Sequence, residues 1–407
     1  MNRQVLRSGD WQVEWEDGGL RRLMWSGVEI ASGLYAAVRD RDWGTVPPRI
    51  GETVLTETEE MLEFRFACEH VRDDIDFMWR GTVVLAPRRL RFEFDGIARS
   101  SFLRNRIGIC VLHSMAFAGK AVRAETESGT VSGHFPEAIS PHQPFMDIKA
   151  MAYEPVPGLA VRMAFGGDLF EMEDQRNWTD ASYKTYCTPL RLPFPVKVEA
   201  GERIRQTVDI VIDPASDIQP AQPAAHGRPL ALTGETVGRL PEIGFLLAEG
   251  PPTDTELARL REAKPSHLHL VLDLTDPRWD TRFRDAVRAA NRLDCGIELE
   301  LLAGDGQSLD DLFRLAADRK IPVRRLMPFR SGTFDSEHSL LAACRERAAK
   351  LGLPLGIGGG TRGHYAEFNR AKLPLSLMDF GSYAITPQFH AFDDRSVMET
   401  LRAQPVT

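Results

Sequence analysis

The sequence predicts a β-sandwich followed by a TIM-barrel-like (β/α) domain. Three observations predict it. Short alternating segments fill the chain to about residue 213, a Pro- and Ala-rich stretch follows, and from about residue 240 apolar runs alternate with helical patterns. The length agrees, since 407 residues with 43% hydrophobic content can bury more than one core.

Taken in order, the alternating segments are WQVEWEDG, RRLMWSGVEI, EFRFACEH, FMWRGTVVLA, RLRFEFDG, ICVLHSMAF, LAVRMAFGG, VKVEAG and RQTVDIVID, punctuated by Gly, Asp and Pro. A period of two with turn residues between is the pattern of antiparallel strands buried on one face. Residues 1–213 are therefore assigned to the sandwich. The stretch PASDIQPAQPAAHGRPLAL carries little patterning, so residues 214–236 are assigned to a linker.

The remaining 237–407 reads as βα units. IGFLLAEG, HLHLVLDL, CGIELELL, VRRLMPF, LPLGIGGG and PLSLMDFGSYAI are its apolar runs, separated by helical stretches such as DTRFRDAVRAANRL and HSLLAACRERAAKLG. Asp and Ser near the helix starts, with Gly or Lys near the ends, suit caps and the macrodipole. Six units fit, whereas a closed barrel of eight takes about 250 residues, so the barrel is expected to look incomplete by about two units.

Composition excludes several classes of function. The net charge is −8 and the charged residues are interleaved, which argues against a nucleic-acid partner. No signal-peptide core and no apolar run of about 20 residues is present, so a membrane span is not expected and the cytoplasm is the expected location. Five scattered cysteines without a CxxC pair read as reduced core thiols. GIGGGT lacks a P-loop lysine, no G-x-S-x-G elbow occurs, and His267 with His269 lies at the wrong end of its strand for a barrel metal site. Neither a cofactor nor a metal is therefore assigned.

Catalytic groups of a barrel lie at the carboxyl ends of its strands. That rule selects Glu249, Asp273, Glu300 and Arg330, then the loops GGGTRGHYAEFNR and PQFHAFDD with His364, Glu367, Asn369, Arg370, Gln388, His390, Asp393 and Asp394. Glu367, His390 and Glu249 are the catalytic candidates, since a carboxylate or imidazole can serve as general base. The competing role for any strand-end carboxylate is a helix cap or an ion pair.

One stretch of the β half stands apart. FEMEDQRNWTDASYKTY crowds Glu171, Glu173, Asp174, Arg176, Asn177, Asp180 and Lys184 around Trp178, Tyr183 and Tyr186. Aromatic faces with directional donors and acceptors suit a polyol, so Asp174, Arg176, Asn177, Trp178, Asp180 and Lys184, with Asn369 and Arg370, are the candidate substrate-binding residues. The structural alternative is a hairpin loop pinned by its own hydrogen bonds. RNRIGICVLHS and GHFPEAISPHQPF add Asn105, Arg106, His113, His134, His142 and Gln143 as weaker candidates.

Together FEMEDQRNWTDASYKTY, RNRIGICVLHS, FPEAISPHQPF, GGGTRGHYAEFNR and ITPQFHAFDD resemble the D-apionate lactonase family of bacterial apiose catabolism, over essentially the whole chain. The resemblance implies a cytoplasmic carboxylic-ester hydrolase that opens D-apionolactone to D-apionate, and a β-sandwich joined to a TIM-barrel-like domain. It also implies a member shortened at its C-terminus, and brings no catalytic set with it. The expected chemistry is water activated by Glu367 or His390 with Arg or Lys at the oxyanion, and the expected partner is a small-molecule sugar lactone. Two other readings stay open: a glycoside hydrolase working through paired carboxylates, or a non-catalytic carbohydrate-binding protein.

Overall fold

The computed structural model describes residues 3–215, 234–236, 238–304, 306–318, 321–386 and 389–407. The chain divides into two compact units, one of Met1–Arg228 with Pro387–Thr407 and one of Pro229–Thr386. Residues 389–407 cluster with the first unit. Ion pairs from Arg395 and Asp393 to Glu14 and Arg21 tie them there, a long-range pairing that local periodicity does not encode. Most of the expected linker, 216–233, lies outside the described residues.

Among the described residues of the first unit, 17 strands join one antiparallel sheet folded around a principal apolar core. Leu62–Arg72, Ile75–Ala86 and Arg89–Ala98 show why, for each alternates buried and partly exposed positions along its length. Their inward residues Phe64, Phe66, Trp79, Phe92 and Phe94 form one aromatic cluster with Trp15. Full burial of one such ring contributes about 1.5–3 kcal/mol, so this face fixes the register of the strands.

The second unit holds a five-stranded parallel sheet, Gly244–Leu246, His267–Asp273, Gly296–Ala303, Val323–Arg330 and Gly356–Ile357. Helices Asp254–Ala263, Trp279–Leu293, Gly306–Ala316 and His338–Leu351 alternate with these strands, as the βα rhythm predicts. Leu268, Leu270, Leu272, Ile297, Leu299 and Leu301 pack in the apolar core of this unit. Alternate positions carry the polar side chains His267, His269, Glu298 and Glu300 instead. His267 lies 3.1 Å from Glu298, His269 lies 3.3 Å from Glu300, and Arg362 donates to Glu300 at 2.7 Å.

GGGTRGHYAEFNR is not a loop. Gly359–His364 pairs in parallel with Gly381–Ala384, and Tyr365–Arg370 is helical. Gly360 has φ 148°, and a Cβ there would lie 2.1 Å from the Ser382 carbonyl oxygen, so this glycine admits a neighbouring strand rather than a ligand.

Candidate active site

The site is laid out by strand register. Phe170–Asp174 pairs with Ser182–Tyr186, setting Glu171 opposite Tyr186 and Glu173 opposite Lys184. Ser182–Tyr186 pairs with Phe102–Ser114, which places Cys110 opposite Tyr186, and Val28–Asp40 adds Tyr35 opposite Cys110. Side chains alternate across a strand, so Met172, Tyr183, Val111 and Leu34 enter the principal core. Glu171, Glu173, Lys184, Tyr186, Cys110 and Tyr35 are left to share the opposite face.

On that face each polar group answers another. The Lys184 ammonium lies 2.9 Å from Glu173 and 4.9 Å from the Tyr186 ring centroid. Glu173 also accepts from Trp178 Nε1 at 2.8 Å, while Tyr186 Oη donates to Glu171 at 2.5 Å. Burial pushes the Glu173 carboxyl up, but Lys184, His390 and the two hydrogen bonds override it and hold the group at about 2. Burial pushes the Tyr186 hydroxyl and the Cys110 thiol upward, so both stay protonated.

A tight turn brings in the rest. Asp174 caps the 3-10 segment Gln175–Trp178, and Thr179, in the left-handed region at φ 65°, ends it. Asp180 then accepts a hydrogen bond from His390 Nδ1, and Gln175 Nε2 sits 3.4 Å from the same nitrogen. Phe389 stacks on Trp178 with ring centroids 4.6 Å apart. Donation from Nδ1 leaves the Nε2 lone pair, which has no protein partner among the described residues. Burial and then Lys184 lower the His390 pKa, against the opposing pull of Asp180 and Glu173. The imidazole is therefore neutral at pH 7, aligned by a carboxylate, with a basic nitrogen to offer.

Comparison with known proteins agrees with the sequence resemblance. Residues 1–215 match the model described as D-apionate lactonase, N-terminal domain, and 243–407 match D-apionate lactonase, TIM barrel domain. A D-apionate lactonase of Brucella anthropi is 32% identical, over 98% of this chain and 69% of its own. The chain belongs to the D-apionate lactonase family. That membership supports a lactonase, hence hydrolase, role in sugar metabolism. Among solved structures, a galactose mutarotase-like protein from Clostridium acetobutylicum is 7% identical, covering 52% of this chain and 95% of its own with TM-score 0.35. A GH36 alpha-galactosidase from Geobacillus stearothermophilus is 9% identical, covering 100% of this chain and 78% of its own with TM-score 0.33.

Within this member of the D-apionate lactonase family, the stretch 170–186 divides into two parts. Asp174 binds Arg176 at 2.7 Å and accepts from Ser140 N at 3.0 Å, Arg176 donates to the Pro136 and Glu137 carbonyls, and Asn177 donates to the Ser140 carbonyl at 2.6 Å. These three residues pin the 136–140 segment. Tyr183 is fully buried beneath the Arg176 guanidinium, so it offers no sugar platform, and one face of Trp178 is covered by Phe389. Lys184, Asp180 and Trp178 gather with His390. His113 is buried in the core, bonded to Thr185 at 2.9 Å and held neutral by burial, with its pKa at about 3. Arg106 donates to the Thr188 and Pro189 carbonyls.

The second unit places the remaining candidates differently. Glu367 accepts from His364 N at 2.7 Å in a capping box, on the same short helix as Asn369 and Arg370. Glu249 is exposed after the strand Gly244–Leu246. Asp273 accepts from Thr275 N at 2.9 Å, and Arg330 pairs with Glu337 at 3.0 Å. Asp393, in the first unit, caps its helix through Ser396 N at 2.9 Å. Among the described residues no group of three or more His, Cys, Asp or Glu could hold a metal ion, and no helix is long and apolar enough to cross a membrane. Gln388 lies outside the described residues. Glu171, Glu173, Gln175, Cys110 and Tyr35 were not singled out as site residues by sequence. The alternation of Glu171 with Glu173 inside FEMED is the signal that could have found two of them.

Proposed function

We propose that this chain hydrolyses D-apionolactone to D-apionate at the polar face of its first unit. The observation that carries the reading is the hydrogen bond between His390 Nδ1 and Asp180, which leaves Nε2 as the base. Nε2 takes a proton from water as the oxygen attacks the lactone carbonyl. Asp180 stabilises the imidazolium that forms, and the Lys184 ammonium offsets charge on the tetrahedral oxygen. The ring C–O bond then breaks, and the imidazolium returns its proton to the departing alkoxide. Ring opening thus consumes one water and restores His390 to its neutral form. Glu173, ionised and held by Lys184 and Trp178, is placed to accept from a substrate hydroxyl.

The test is purified protein with D-apionolactone in weak buffer, following acid release with a pH indicator beside a panel of other aldonolactones. Selective acidification above the spontaneous rate is expected. A protein that melts cooperatively yet gives only the spontaneous rate overturns the reading.

A further inference from the structure

His390 lies in a segment, 389–392, that belongs to no helix or strand. Something other than regular secondary structure must hold its imidazole against Asp180. Three residues downstream, Asp393 caps the helix Asp394–Thr400. Its carboxylate also receives Arg21 Nη1 at 3.0 Å, while Arg21 Nη2 donates to Ser396 Oγ at 2.7 Å. On the same helix, Arg395 donates to Glu14 at 2.7 Å. Glu14 and Arg21 face each other in the register of the strands Trp11–Glu16 and Gly19–Trp25. One cross-strand pair therefore grips the tail at two points, a cation holding its carboxylate and a carboxylate holding its cation.

The grip is sheltered and aimed. The Glu14 side chain is 7% exposed and Arg21 21%, against 36% for Asp393, so the pairs are partly shielded rather than freely solvated. The register of the strand pair also shifts between Gln12 and Glu14, the kind of irregularity that re-aims side chains. Three residues of extended chain span at most about 11 Å, so fixing Asp393 confines His390 to a small volume.

We infer that Arg21 and Asp393 are positioning residues that hold His390 against Asp180. This rests on reading His390 as the base. A displacement of about 1 Å in such a group costs about 10²-fold in rate, so loosening the clamp should reach catalysis without touching substrate.

The test compares Arg21→Gln, Arg21→Lys and Asp393→Asn in the full chain, by D-apionolactone kinetics and by the proton resonance of His390 Nδ1 in histidine-labelled protein. Arg21→Gln and Asp393→Asn are expected to lower kcat by about tenfold or more with KM little changed, and to broaden or lose the Nδ1 resonance. Arg21→Lys, which keeps the charge, should recover part of both. Asp393→Asn alters only the tail, so a matching loss there with an unchanged melting midpoint excludes general unfolding of the sandwich. Retention of kcat and of the resonance in both variants overturns the inference, as does a kcat loss with the resonance unaltered. If His390→Gln is fully active while Arg21→Gln loses the resonance, the clamp stands and the assignment of His390 as base falls.

Discussion

Asp180 and His390 are 210 residues apart in sequence, yet His390 Nδ1 donates to the Asp180 carboxylate on one face of the first unit. Lys184 and Glu173 lie within electrostatic reach of the same ring. A neutral imidazole oriented by an anion is the group in this cluster suited to take a proton from water.

On the proposed assignment, His390→Gln removes the base while leaving a side chain of similar reach. Because a positioned general base contributes about 10²–10⁴-fold, kcat for D-apionolactone should fall by at least about 100-fold with the melting midpoint little changed. An indicator assay on the folded variant decides it, and activity within a few-fold of the parent would remove His390 from the chemistry.

Asp180→Asn keeps an acceptor for Nδ1 and deletes the charge. Burial and Lys184 already lower the His390 pKa, and Asp180 pulls it upward, so losing the anion must lower it further. The acid limb of the kcat/KM profile should therefore move to lower pH while the plateau drops, since the imidazolium loses its stabilising partner. A limb that moves to higher pH contradicts the assignment.

Much of this fold was legible because its periods are local. The alternation in LEFRFACEHVR places Phe64 and Phe66 in the core, and the Leu positions of HLHLVLD pack as a buried sheet face. The candidate site was legible only in pieces. Asp180, Lys184 and Trp178 stood out by composition, and His390 by its loop, but nothing local joined them, because the pairing depends on a tail that returns to the sandwich past an entire second unit. Composition also sets Asp174 and Arg176 among the ligand candidates, whereas their hydrogen bonds run to the 136–140 segment and to each other.

That contrast predicts separable phenotypes. Asp174→Asn leaves the Arg176 guanidinium, 2% exposed, without its anion. Breaking such a buried pair costs about 3–5 kcal/mol, so urea denaturation should show a large loss of stability while the folded fraction keeps its kcat. Intact stability with a raised KM would instead return Asp174 to the substrate.

Glu173 ties stability to acid. Its folded pKa of about 2 lies below the ordinary 4.5, despite burial, because of Lys184 and His390. A depressed carboxyl stabilises the fold at pH above its unfolded value, and that stabilisation is lost as pH falls from about 4.5 towards about 2. Glu173→Gln should therefore flatten the decline in urea midpoint between about pH 5 and pH 3 relative to the parent. An equally steep decline in the variant means that other carboxylates carry the acid sensitivity.

Glu367 separates the two catalytic readings that the sequence left open. Its carboxylate is already engaged with His364 N, and a glutamine at this position of a capping box can accept the same hydrogen bond. Glu367→Gln should then keep both kcat and stability, the latter within about 0.5 kcal/mol. Glu249→Gln, at an exposed strand end, should be equally silent. A loss of about 100-fold in kcat for Glu367→Gln, with its helix intact by circular dichroism, would move the general base from the tail histidine to the second unit. Because His390→Gln is expected to behave in the opposite way, assaying the two variants side by side assigns the base whichever unit holds it.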